Sequence, residues 1–245
     1  MIEARHLSVR YKPNGLALDD VSFQVAPGEV YALLGARGAG KTTVVNAFRG
    51  AVKPERGAAL VGELDVGSDP LAGRRRLGFI VGSGALYGDL SPRRNVRLFV
   101  RATGLRVLPA SIDNALRRMG VPDRAFDAPA RNLEPAVHLG VSLAAAFLRG
   151  IDGLLLDGPA EGIDVASKPD LEESVDEFRS TGASVLLTTA DVSLAAGISD
   201  RVGILRAGRL VAECTPERLL EWSLPEFLVE FAGARTPAYP LSSHD

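Results

Sequence analysis

The sequence is poor in the features that mark several protein classes. It has a single cysteine, Cys214, so neither an intrachain disulfide nor a thiolate metal cluster can form. A reducing compartment is the natural setting, with Cys214 read as a small strand residue. No apolar run approaches the ~20 residues that a membrane-spanning helix needs, so any membrane contact is expected to go through a partner. The N-terminus runs straight into the alternating stretch Ile2 to Val9 without a charged and then apolar leader, and no signal peptide is expected. The formal net charge is -2, so bulk electrostatics give no reason to expect nucleic acid as a partner. The three histidines, His6, His138 and His244, are scattered and form no recognisable metal site. Internal repeats and low-complexity segments are absent.

What remains is ordinary globular material: 245 residues, 46% hydrophobic and 24% charged, enough for one large domain or two tightly associated lobes. Leu7 and Val9 alternate with polar neighbours, as do Val21, Phe23 and Val25, and both stretches read as strands. Lys12-Pro13-Asn14-Gly15 and Pro27-Gly28 are turn signals. The second leads into an apolar strand, Val30 to Leu34, then a glycine-rich stretch and a helix to about Arg49. A helix is expected to start at Ser91-Pro92, with Val96, Leu98, Phe99 and Val100 as candidates for its apolar face. Another carries Ile112, Ala115, Leu116 and Met119 and closes at Gly120. Further helices are expected over Ala136–Leu148, Leu171–Phe178 and Val192–Ile198. The matching strands are Leu154–Leu156, Ala183–Thr188, Val202–Leu205 and Leu210–Cys214. Glu217–Leu220 and Pro225–Phe231 are expected as short closing helices, with a frayed tail after Gly233.

The chemistry is concentrated in Gly35-Ala36-Arg37-Gly38-Ala39-Gly40-Lys41-Thr42, which fits the P-loop pattern G-x-x-x-x-G-K-[ST] between an apolar strand and a helix. Glycines let backbone N–H groups turn inward around phosphates, and the helix N-terminus adds positive partial charge. Lys41 can neutralise β- and γ-phosphates, and the Thr42 hydroxyl suits Mg²⁺. Asp157, at the end of an apolar strand, is the expected second Mg²⁺ partner.

With these two sites fixed, residues 2 to 222 resemble the nucleotide-binding domain of an ABC transporter, closest in wording to the ATPase subunits of ABC-2-type exporters. Leu77 to Gly82, Leu86 to Ser91 and Arg94-Asn95-Val96 follow the family's Q-loop region. Gly162-Ile163-Asp164 resembles its D-loop, and Leu186 to Thr189 followed by Asp191 its H-loop strand. Leu205 through Leu210 and Thr215-Pro216 match its closing strands. Tyr11 sits where the family places an adenine-stacking aromatic and is assigned that role, with a strand-end tyrosine as the alternative.

The resemblance implies an α/β P-loop fold with a mainly parallel core sheet, an N-terminal antiparallel β subdomain and a helical subdomain. It places an ATP-binding domain over 1–233, a helical insertion over about 84–150, and a flexible tail over 234–245. It implies MgATP held by Gly35, Arg37, Gly38, Ala39, Gly40, Lys41, Thr42 and Thr43, with Thr42 and Asp157 on the metal. It also implies permease partners, a homo- or heterodimer of ATPase subunits, and a peripheral place on the cytoplasmic face of the plasma membrane.

Five positions depart from the family pattern. The Q-loop glutamine is Gly82, the glutamate that follows Asp157 is Gly158, and the H-loop histidine is Ala190. The signature Leu-Ser-Gly-Gly-Gln reads Leu133-Glu134-Pro135-Ala136-Val137, and Arg37 stands where Asn or Ser is usual. In the family the lost glutamate positions the attacking water, help that is typically worth about 10²–10⁴-fold. The signature of one subunit closes over ATP held by its partner, and here Glu134 would bring a carboxylate toward that phosphate while Pro135 removes an N–H. No catalytic residue is therefore assigned, and hydrolysis is expected to be weak or absent. Two functions stay open: an ATP-binding exporter subunit working beside a more active one, or a regulatory or structural pseudo-ATPase whose nucleotide occupancy controls a protein partner. Arg74-Arg75-Arg76 and Arg93-Arg94 are read as a solvated face.

Overall fold

The computed structural model describes residues 1–11, 15–159 and 168–221. The chain opens with two long strands, β1 (Ile2–Tyr11) and β2 (Gly15–Val25), paired antiparallel. Alternating apolar residues bury Leu18, Val21, Phe23 and Val25 while their neighbours face water. With β4 (Arg56–Val61) and β5 (Leu64–Asp65) they form an antiparallel sheet in the order β2-β1-β4-β5.

The second sheet comprises β3 (Val30–Leu34), β6 (Leu77–Val81), β7 (Gly153–Asp157), β8 (Ser184–Thr189), β9 (Arg201–Arg206) and β10 (Arg209–Cys214). Their order is β10-β9-β3-β8-β7-β6. All neighbours are parallel except the β9–β10 hairpin at one edge. Strands this apolar belong between two covered faces, and two cores divide them by period two. Val30, Ala32, Leu34, Leu154, Leu156, Val185 and Leu187 face one core. Tyr31, Leu33, Leu155 and Leu186 face the other, which the first sheet and α1 (Lys41–Phe48) complete.

The first core is capped by helices α3 (Pro92–Arg101), α4 (Pro109–Arg118), α5 (Pro135–Leu148), α6 (Lys168–Ser180) and α7 (Val192–Ile198). The helix α8 (Pro216–Glu221) adds Leu219 to the same core. Proline sits in the first turn of α3, α4 and α5, where its missing N–H costs nothing. The mainly parallel core sheet, antiparallel β subdomain and helical layer expected from the sequence are all present.

One stretch is richer than expected. Between Arg49 and Leu77 the sequence reading assigns no element, yet β4, β5 and α2 (Pro70–Arg76) lie there, with Asp69 capping α2 through the Ala72 N–H at 3.0 Å. The arginine runs are also not simply a solvated face. Arg76 donates to Asp152 and to the Val61 carbonyl, and Arg74 to the Arg49 carbonyl. Arg93 pairs with both Asp113 and Asp127 and lies over the Phe126 ring. Cys214 is half-buried on β10, and burial pushes its thiol pKa up, as suits an inert strand residue. The turn at 12–14, the D-loop-like residues Gly162, Ile163 and Asp164, the expected helix over Pro225–Phe231 and the tail lie outside the described residues.

Candidate nucleotide site

The C-terminal end of β3 meets the N-terminus of α1 at the glycine-rich loop. Gly40 caps the helix with φ of 112°, and Gly38 has φ of 82°. Both angles are in the region that L side chains avoid. Around Gly38 nothing lies within 4 Å of where a Cβ would stand, so the loop faces open space there. Behind the loop the packing is tight, and a Cβ on Gly35 would stand 2.6 Å from the Leu205 carbonyl oxygen. The loop therefore has a rigid back and an open front.

Three neighbours hold that back. The Gly35 N–H donates to Thr189 O at 3.1 Å, and the Gly208 N–H donates to Ala39 O at 2.9 Å. Gly208 also accepts from the Asp19 N–H at 2.8 Å, which ties the first sheet to the same point. The β9–β10 turn runs through Ala207 and Gly208 with φ of 46° and 80°, a two-residue hairpin geometry. Sequence reasoning did not single out this turn, because Ala-Gly lacks the usual Asn or Asp at its first position.

Lys41 Nζ donates to the Gly35 and Ala36 carbonyls at 2.6 and 3.0 Å, which curls its ammonium over the loop. Asp157 ends β7 beside Thr188 of β8, its register partner, and accepts a hydrogen bond from the Thr188 hydroxyl. The carboxylate is buried yet lines the same cleft as Lys41. That cleft, of about 810 Å³, is lined by Tyr11, Arg37, Gly38, Gly40, Lys41, Thr42, Thr43 and Asp157 among others. Leu16 and Ala17 of β2, and the Ala207-Gly208 turn, complete its wall. A lysine, a threonine hydroxyl and a carboxylate around a glycine-rich loop at a helix N-terminus suit a polyphosphate with a divalent cation.

The departing positions fall in two groups. Gly158 and Ala190 line the cleft itself and bring no titratable side chain to it. Gly158 has φ of 62° and donates its N–H to Thr188 O at 3.0 Å. Gly82, outside that lining, has φ of 55° and donates to Asp157 O at 2.9 Å. The signature-equivalent residues Leu133, Glu134, Pro135, Ala136 and Val137 also lie outside the lining. Glu134 caps α5 without a side-chain capping bond, and Pro135 occupies the first turn, so the carboxylate stands exposed where an N–H is missing. Below it, His138 bonds the Ala130 carbonyl at 2.7 Å, a tether for the helix start rather than a metal ligand.

Comparison with known proteins agrees with this geometry. A family model described as ABC transporter matches residues 18–161. The chain is 33% identical over 205 residues to the daunorubicin resistance ATP-binding protein DrrA3 of Streptomyces coeruleorubidus, covering 83% of this chain and 65% of that protein. It is 31% identical over 234 residues to the Nod factor export ATP-binding protein I of Burkholderia thailandensis, covering 95% and 76%. Among solved structures, an ATP-binding subunit of an ABC transporter superposes with a TM-score of 0.79 at 29% identity, covering 94% of this chain and 98% of that one. An ATP-binding cassette solved as a dimer with ADP and Pi has the same fold, with a TM-score of 0.78 at 19% identity over 88% of this chain and 99% of that one. The P-loop cleft, the two-sheet architecture and these matches make the chain a member of the ABC transporter family, as its ATP-binding domain.

Proposed function

We propose that this chain is the ATP-binding subunit of a membrane exporter, and that it holds MgATP in the Lys41 cleft while hydrolysing it very slowly. The relatives that are named for drug resistance and Nod factor export support the exporter reading. Permease subunits and a second ATPase subunit, identical or different, are the expected partners, and the cytoplasmic face of the membrane is the expected place. Dimeric cassettes among the structural neighbours support the pairing. Lys41 and the amides of Gly38 and Gly40 are assigned to the phosphates, Thr42 and Asp157 to Mg²⁺, and Tyr11 to the base. A bound Mg²⁺ would supply charge neutralisation of the phosphates.

One observation carries the slow-turnover half of the proposal. Among the described residues that line the cleft beside Asp157, Gly158 brings no side chain, Ala190 brings a methyl group, and Thr188 and Thr189 bring hydroxyls, of which that of Thr188 is donated to Asp157. None of these is a carboxylate or imidazole that could take up a proton near neutral pH. Loss of such positioned help is worth about 10²–10⁴-fold, which takes an ordinary enzyme turnover of ~10 s⁻¹ to on the order of 10⁻¹–10⁻³ s⁻¹.

The test is MgATP binding by titration calorimetry and phosphate release on the purified chain, wild type beside Lys41→Ala. Binding that weakens by about a hundredfold or more in Lys41→Ala, since a charged phosphate contact is lost, with phosphate release in the slow range for wild type, is the expected result. Lys41-dependent turnover near ~10 s⁻¹ would overturn the slow-turnover assignment. Absence of binding would instead move the chain to a purely regulatory or structural role.

A further inference from the structure

Between Asp89 and Asp113 the chain carries five arginines and no acidic residue, in a protein whose net charge is -2. Arg93 is neutralised within the fold by Asp113 and Asp127. Among the described residues, Arg94, Arg97, Arg101 and Arg106 form no ion pair.

Three of them share a face. Arg94, Arg97, Leu98 and Arg101 follow the i, i+3, i+4, i+7 rule along α3, on the side away from the buried Val96 and Val100. The stripe then continues into a segment where every residue from Ala102 to Ala110 is exposed except the half-buried Val107. That segment presents Leu105 at 42% and Leu108 at 72% exposure, with Leu98 at 41% beside the arginines. Like charges three and four apart on a helix repel by a few tenths of a kcal/mol each, so the stripe does not serve the fold. None of the three arginines lines the nucleotide cleft or the groove beside Phe99 and Ala102. Arginine heads interleaved with exposed leucines suit a broad surface that is anionic outside and apolar beneath.

We propose that this face of α3 and the segment after it form a docking surface for anionic lipid headgroups, with the arginines on phosphates and the leucines entering the interfacial layer. The surface is separate from the nucleotide cleft and gives the subunit a direct hold on the membrane in addition to any through a permease. Each arginine near an anionic leaflet is worth about a factor of five, so removing three should weaken binding by roughly a hundredfold.

The experiment is co-sedimentation of the full chain with phosphatidylcholine vesicles, with and without about one third phosphatidylglycerol. The expected result is binding to the anionic vesicles alone, lost at about 0.5 M salt. It should fall roughly a hundredfold in the triple variant Arg94→Gln, Arg97→Gln, Arg101→Gln. A charge-matched control, Lys53→Gln, Arg56→Gln, Arg75→Gln, removes exposed cations elsewhere and should bind as wild type does. Equal loss in both triple variants would overturn the proposal, as would binding that ignores lipid charge. Absence of vesicle binding, whether or not the chain retains polyglutamate, would also overturn it, and retention of polyglutamate would assign the stripe to an acidic protein. Lys41→Ala should leave vesicle binding unchanged, so failure of the nucleotide reading and failure of this one are told apart.

Discussion

At the scale of single residues, Gly158 separates what the cleft holds from what it lacks. Its φ of 62° is a conformation that costs an L residue about 1–2 kcal/mol. Replacing it by glutamate therefore does two things at once. Gly158→Glu should lower stability in urea unfolding by about 1–2 kcal/mol. It should raise phosphate release by less than about tenfold, far short of the ~10²–10⁴ that a well-positioned base is worth. The reason is geometric. A side chain on left-handed backbone leaves the chain in a different direction from one on extended backbone, and positioning is the larger part of acid–base help. A rise of about a hundredfold or more would mean that the glutamate was the single missing group and that the other departures are immaterial.

At the scale of elements, one cation ties together three parts of the helical layer. Arg93, near the start of α3, reaches Asp113 on α4 and Asp127 beyond it, while its guanidinium and that of Arg117 both lie over Phe126. The hydrogen bonds from Arg93 hold the Asp113 carboxyl below the usual carboxylate range. A depressed carboxylate contributes stability above its unfolded pKa and loses it as pH falls through the folded one. The contribution is therefore present at neutral pH and disappears below about pH 4. Arg93→Ala should lower stability at pH 7, and the gap from wild type should narrow in urea titrations as the pH is lowered below ~4. A gap independent of pH would mean that Arg93 acts through its packing on Phe126 alone.

The same scale shows what was legible in the sequence. Strands with clean period-two patterns, such as β2, and apolar runs inside the parallel sheet, such as Leu154 to Leu156, stand where the pattern puts them. So do α3, read from its Ser91-Pro92 start, and α4, read from its apolar spacing and the glycine that closes it. The stretch 50–76 was silent because β5 has two residues and β4 begins with Arg56-Gly57, too little pattern to carry a period. Within the site, the P-loop and Asp157 could be read because glycine, lysine and carboxylate are constrained by chemistry. The Ala207-Gly208 turn and the Thr188 hydroxyl on Asp157 could not. Their roles come from tertiary register between β7, β8 and the β9–β10 hairpin, and no local spacing encodes that. The arginine runs misled for the same reason: only folding shows that Arg93 and Arg76 have carboxylates waiting, while Arg94, Arg97 and Arg101 do not.

At the scale of the whole molecule, the cleft is assembled from parts that are distant in the chain. Tyr11, Leu16 and Ala17 come from the antiparallel sheet; the P-loop and Asp157 come from the parallel one; Ala207 and Gly208 come from its edge hairpin. The Asp19–Gly208–Ala39 chain of backbone bonds already joins these parts. A ligand in the cleft therefore meets a site that exists only when both cores are formed around the shared sheet, and it has nothing comparable to bind in the unfolded chain. Such a ligand stabilises the native state by about 2.7 kcal/mol at 100 times its Kd. For a chain of this size that is about 5–11 °C in Tm. MgATP should produce that shift as a single transition, because the two cores share strands β3, β7 and β8 and cannot melt apart. At a turnover on the order of 10⁻¹ s⁻¹ or slower, an hour of incubation consumes only part of a roughly thousandfold excess of nucleotide over protein, so the shift should then be nearly unchanged and close to that given by a non-hydrolysable analogue. Two separate transitions, with only one responding to nucleotide, would show that the cleft does not join the cores. A shift that collapses within that hour as the excess nucleotide is converted to phosphate would show instead that turnover is near ~10 s⁻¹, and that Gly158 and Ala190 have a substitute.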